Sequence, residues 1–176
     1  MNQLQHTLFS DFLSKGFAVI NIPQILDLIS IDEFEIVNVE QIEGVDDIPP
    51  VARPRYQEQQ MLKVVDYLKC NFLNCVFKEY NILSCSLWDG VDSGSLDFHN
   101  DSKEGQSFCF LIYFDDQKQE TGGSISFKWP GGQETIIPKA GTVCWVNQQT
   151  KFQHRAERSK ITRRVMCVEV EVAGWI

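Results

Sequence analysis

The feature that most constrains this chain is the way its second half is cut into short pieces. Six runs rich in β-branched and aromatic residues, NILSCSLW, SFCFLIYF, GSISFKW, QETIIP, GTVCWV and RRVMCVEVEV, follow one another between residues 81 and 172. Glycines and Asp/Gln clusters separate them, in DGVDSGS, DDQKQETGG, PGGQ and KAG. Runs of this length, bounded by turn residues, predict antiparallel strands, and strands this short must bury a face against a second layer. An antiparallel sandwich or barrel follows. At 176 residues and 43% apolar content the chain is long enough to bury a sizeable core as one domain.

The first half supplies helices. GFAVINI (16–22) predicts a strand after a short amphipathic helix. From Gln57 to about Lys78 the residues Met61, Val65, Leu68, Phe72 and Val76 recur at three-to-four spacing, which predicts a long helix packed on the outer face of one sheet. EGVDDIPPVARPR (43–55) carries three prolines and predicts a surface loop. The class is mostly β, α+β, with residues 1–79 as support. KWPGGQE (128–134) predicts a hairpin with Trp129 exposed at its tip.

Charge excludes some partners. A net charge of −8 offers no basic stripe for a phosphate backbone, so duplex nucleic acid is not expected. A basic rim remains in KFQHRAERSKITRR, with Lys151, Arg155, Arg158, Lys160, Arg163 and Arg164. MNQLQHTLFSDFLSKGF lacks the basic and apolar regions of a secretory signal, and no run reaches a membrane span, so a cytoplasmic chain with no membrane partner is expected. Cys70, Cys75, Cys85, Cys109, Cys144 and Cys167 form no C-x-x-C pair and read as buried, reduced thiols.

Three histidines are present. His6 lies in a polar segment and is expected to be exposed. His99 and Asp101, two apart, can present an imidazole and a carboxylate to one side of a strand. That pair alone also fits a polar turn. Downstream stand TGGSISF (121–127), IPKAGTVCWV (137–146), His154 in QHRAE, and TRRVMCVEV (162–170). His154 follows Asp101 by 53 residues and precedes Arg163 and Arg164 by 9 and 10.

In order and spacing, residues 80–172 resemble the iron(II)- and 2-oxoglutarate-dependent dioxygenases, in their prolyl-hydroxylase-like branch. The resemblance implies a double-stranded β-helix, or jelly roll, over residues 80–176. It implies iron(II) held by His99, Asp101 and His154, with 2-oxoglutarate and O2 as cosubstrates. The activity implied is hydroxylation of a C–H bond in a peptidyl or small-molecule substrate, with release of succinate and CO2. Two histidines and a carboxylate on one face of an octahedral ion leave three open positions, which suits this chemistry better than a closed zinc site.

The ion, one carboxylate and a dianionic cosubstrate sum to one negative charge, which one buried guanidinium neutralises while gripping the far carboxylate by its fork. Strand parity lets only one of Arg163 and Arg164 point inward. Arg163 is preferred, because Val165 and Cys167 then follow it inside while Met166 and Val168 face the covering helix. Tyr113 matches the position of a tyrosine that contacts the same carboxylate, or is an ordinary sheet tyrosine. Trp88 either lies beside the cosubstrate or packs in the core. The loop holding Asp89, Asp92 and Asp97 closes over substrate or is merely solvated, and Asn100 has no assigned chemistry. Two other readings stand beside the oxygenase: a cupin-like metal- or ligand-binding module without 2-oxoglutarate turnover, and an interaction domain without metal.

Overall fold

The computed structural model describes residues 3–30, 34–37, 51–54, 57–71, 80–90, 97–100 and 107–172. Helix α1 (Gln3–Lys15) leads into β1 (Phe17–Asn21) and a short 3-10 turn (Pro23–Leu28). Strands β2 (Phe34–Val37) and β3 (Val51–Pro54) precede α2 (Gln57–Asn71). Then come β4 (Tyr80–Gly90), β5 (Ser107–Tyr113), β6 (Ile125–Trp129), β7 (Gly132–Ile136), β8 (Thr142–Asn147), β9 (Gln153–Ala156) and β10 (Arg163–Val172).

The larger sheet has the order β1-β8-β5-β10-β4-β3-β2 and the smaller β7-β6-β9, with antiparallel pairing throughout. From β4 onward the chain alternates between them: β4 large, the His99 segment against β9 of the small sheet, β5 large, β6 and β7 small, β8 large, β9 small, β10 large. That alternation is the double-stranded β-helix, or jelly roll.

Two cores follow from strand periodicity. Met166, Val168, Val170 and Val172 of β10 face outward from the large sheet and pack with Leu8 and Phe12 of α1 and Val64, Val65 and Leu68 of α2. Phe12 lies flat on Trp145 at 3.8 Å between ring centres. The opposite face, with Leu111, Tyr113, Cys144 and Val165, meets Ile125 and Phe127 of the small sheet, and Phe17 stacks on Phe127 at 4.1 Å. Among the described residues no helix is long and apolar enough to cross a membrane.

Several expectations need correction. Val51–Pro54, expected in a loop, is a strand paired with β2 and β4. The extended backbone imposed on Arg53 by Pro54 suits a strand as well as a loop. Asp89 and Gly90 belong to β4 rather than to the loop after it. Trp129 is half-buried, 5.7 Å from the Phe17 ring, because its strand position turns it toward the inter-sheet core. Cys70 is exposed, since it sits near the end of α2 on the face away from Val64 and Leu68. The helix is described to Asn71, so Phe72 and Val76 lie outside the described residues, as does Cys75. His6 is exposed, as expected.

Candidate metal centre

Backbone pairing brings His99 and His154 together. The His99 N–H donates to the His154 carbonyl at 3.0 Å, and the His154 N–H donates back at 2.9 Å. Directly opposed residues share a face, and the two imidazoles lie 4.5 Å apart with their planes inclined by 52°. His154 also pairs with Phe127 of β6, a member of the inter-sheet core, so the shared face is the interior one. His154 is buried accordingly.

The ring separation is compatible with one shared ion. Two imidazoles bound at right angles, each with a nitrogen about 2.1 Å from a common metal, have ring centres roughly 4.5 Å apart. Nδ1 of His99 lies 2.7 Å from the carbonyl oxygen of Asp97. A carbonyl only accepts, so Nδ1 carries the proton, and in the neutral imidazole Nε2 then carries the lone pair, the tautomer a ligand needs. Asn100 Nδ2 donates to the carbonyl of Gln148 at 2.9 Å, and buried Gln148 reaches Cys109 Sγ at 2.9 Å. These bonds tie the short His99 segment to the β8–β9 connection. Asp101 lies outside the described residues, as does Asp92. Among the described residues no group of three His, Cys, Asp or Glu side chains forms.

The large sheet supplies the opposite wall. Trp88, Val165 and Tyr113 sit side by side across β4, β10 and β5, and Cys167 follows Val165 two positions on. Arg163, two residues before Val165, is 9% exposed and donates through Nη1 to the carbonyl of Glu157. Burial lowers its pKa, and the neighbouring Tyr113 hydroxyl opposes that shift. Burial raises the Tyr113 pKa more than Arg163 lowers it, so the phenol stays neutral beside a guanidinium. Arg164 goes the other way. Its backbone N–H and Nε reach Asp115 Oδ2 at 2.8 and 3.1 Å, and Nη2 reaches Oδ1 at 2.6 Å, closing a bidentate pair. Trp88 is half-buried and donates through Nε1 to Ser86 Oγ at 3.0 Å.

The basic cluster near the carboxyl end disperses. Arg155 stacks over the Phe98 ring at 4.9 Å, with Lys128 on the same ring at 5.6 Å, while Arg158 and Lys160 are exposed. Sequence reasoning missed Gln117, Ser159 and Glu157. Gln117 and Ser159 are fully buried and hydrogen-bonded to each other, and Glu157 Oε2 accepts from Ser124 Oγ at 2.5 Å. Only the polarity of a β-rich stretch hints at them, because their partners lie far off in sequence.

No protein-family model matches the chain, and no curated protein matches it in sequence. Solved structures do match in fold. A Trichoplax adhaerens prolyl hydroxylase in complex with a hypoxia-inducible-factor peptide fragment is 16% identical, with a TM-score of 0.68 over 97% of this chain and 90% of that one. A Pseudomonas putida prolyl-4-hydroxylase is 13% identical, with a TM-score of 0.66 over 97% and 100% of the two chains. HygX from Streptomyces hygroscopicus, with nickel and 2-oxoglutarate bound, is 12% identical, with a TM-score of 0.64 over 98% and 88%. The chain is therefore similar, along almost its whole length, to the double-stranded β-helix of prolyl hydroxylases and other 2-oxoglutarate/iron(II) oxygenases.

Proposed function

We propose that the chain is an iron(II)- and 2-oxoglutarate-dependent dioxygenase that hydroxylates a C–H bond of a peptidyl or small-molecule substrate, a prolyl residue foremost, releasing succinate and CO2. The carrying observation is the His99–His154 ring pair on an interior face that meets the wall bearing the buried Arg163. In this reading His99, His154 and Asp101 hold iron(II). Arg163 holds the far carboxylate of 2-oxoglutarate with help from the Tyr113 hydroxyl, and Trp88 flanks it. Arg164, engaged with Asp115, is assigned the structural role.

Bound iron with 2-oxoglutarate and O2 supplies the oxidising power that no side chain of the chain has. The protein's own residues bind, orient and exclude water. The two histidines would fix the ion's position through a backbone bridge, Arg163 balances charge where water is scarce, and Val165 and Cys167 line the same face beside it. Two prolyl hydroxylases among the structural neighbours support a peptide substrate. SnoN, an epimerase from nogalamycin biosynthesis, shares the fold, so a substrate panel needs small molecules as well as peptides. Buried thiols and oxidisable iron both suit a reducing, cytoplasmic setting.

Anaerobic titration of the chain with iron(II) and 2-oxoglutarate tests this directly. A visible charge-transfer band is expected that is lost in His99→Ala and His154→Ala, followed on admitting O2 by succinate release that rises with the right substrate. Metal binding with no response to 2-oxoglutarate would overturn the reading in favour of a metal-binding β-helix module.

A further inference from the structure

The connection between β9 and β10, residues 157–162, joins the second histidine to the buried arginine. It is held by a polar knot inside the protein. Gln117, with no solvent exposure, donates through Nε2 to the Thr162 carbonyl at 3.1 Å and accepts from Ser159 Oγ at 2.8 Å. Ser159 Oγ also lies 2.9 Å from the Ile161 carbonyl and 3.3 Å from the Ile161 N–H. One end of the connection is pinned where the Glu157 N–H donates to the Ser124 carbonyl at 2.9 Å, and the Lys160 N–H donates to Thr121 at 2.8 Å.

The Gly122-Gly123 pair makes room for this connection. Both have positive φ, 76° and 81°. A Cβ on Gly122 would sit 2.2 Å from the Arg158 carbonyl oxygen, and one on Gly123 would sit 2.1 Å from Gln117 Oε1. The glycines are therefore needed for backbone approach as well as for the turn.

We infer that Gln117 is a positioning residue: through Ser159 and Thr162 it fixes the 157–162 connection, whose Glu157 carbonyl receives the Arg163 guanidinium, and so sets where that guanidinium points. The inference rests on the reading of Arg163 as the grip on the far carboxylate of 2-oxoglutarate. Removing a buried hydrogen-bonding partner leaves the Thr162 carbonyl and the Ser159 hydroxyl to reorganise, and the connection moves with them.

The test compares two 2-oxo acids on the manganese(II)-loaded chain without turnover, by calorimetry. 2-Oxoglutarate has the far carboxylate and 2-oxobutyrate lacks it. In Gln117→Met and the milder Ser159→Ala, 2-oxoglutarate is expected to bind about tenfold or more and about threefold more weakly, with 2-oxobutyrate unchanged, and amide exchange at residues 157–162 is expected to quicken. Equal weakening of both acids, or no weakening of either, overturns the positioning role. If the unaltered chain binds 2-oxoglutarate no better than 2-oxobutyrate, the reading of Arg163 falls and the inference with it; the unaltered chain thus tests the reading and the variants test Gln117.

Discussion

Adjacent arginines at the head of β10 are given opposite fates by one step of strand parity. Arg163 is buried on the inter-sheet side, and Arg164 is clamped by Asp115 on the other. Arg163→Lys keeps the charge but not the planar fork and is expected to weaken 2-oxoglutarate binding at least tenfold by calorimetry. Arg164→Ala should leave that binding unchanged and cost at most about 1 kcal/mol in urea unfolding, since the Asp115 pair is partly solvated. A second residue-scale prediction concerns alkaline pH. Burial pushes the Cys144 thiol up to about 12, well above its ordinary value. A raised folded pKa gives stabilisation that is complete below the unfolded value, about 8.5, and is lost as pH rises toward the folded one. Cys144 alone should therefore lower stability by about 1.4 kcal/mol per pH unit above about pH 9. Cys144→Ala should reduce the alkaline slope by that amount in pH-dependent urea unfolding, whatever it does to the absolute value, while the Cys85 thiol, also raised by burial, keeps its own share.

At the level of elements, β4 carries an irregularity with a readable purpose. Glu169 faces Ser84 and Val170 faces Ile82, so Leu83 is an extra residue bulged out of the β4–β10 ladder and half-exposed. With the bulge, Tyr80, Ile82, Cys85 and Leu87 all face the helices. Deleting Leu83 restores a regular ladder without turning any of them over, and is expected to change the unfolding free energy by no more than about 1 kcal/mol. Deleting Ser86 instead inverts the strand on one side of the gap, and the expected result is an insoluble or unfolded chain on expression.

For the molecule as a whole, two cores share the large sheet between them and should separate in experiment. Phe12 belongs to the helix-facing core and Phe127 to the inter-sheet core, where it pairs across the strand with His154. Phe12→Ala and Phe127→Ala are each expected to cost about 3–5 kcal/mol in chemical denaturation. At a denaturant-free temperature where both remain folded, Phe127→Ala should also weaken manganese(II) binding severalfold, while Phe12→Ala should not. Equal metal affinities in the two variants would mean that the histidine pair is held by its backbone bridge alone.

Local pattern was enough for the strands that bury one face and show another. RRVMCVEVEV reads as β10 along its whole length because its alternation is written by the two environments it separates. The spacing of His99, Asp101, His154 and Arg163, on which the proposed site rests, is likewise a property of the sequence, and of these the structure describes His99, His154 and Arg163. The shortest elements were not legible. Strand β9 is only QHRA, and β2 (FEIV) and β3 (VARP) are four residues each in an acidic, proline-bearing stretch, too short for a period to establish itself. The sequence by itself determined which residues want to be inside and which could bind a cation. Only the tertiary structure decided that His99 opposes His154 and that Gln117 meets Ser159 across 42 positions, because pairing between distant segments depends on the closure of the whole sheet, which no local window contains.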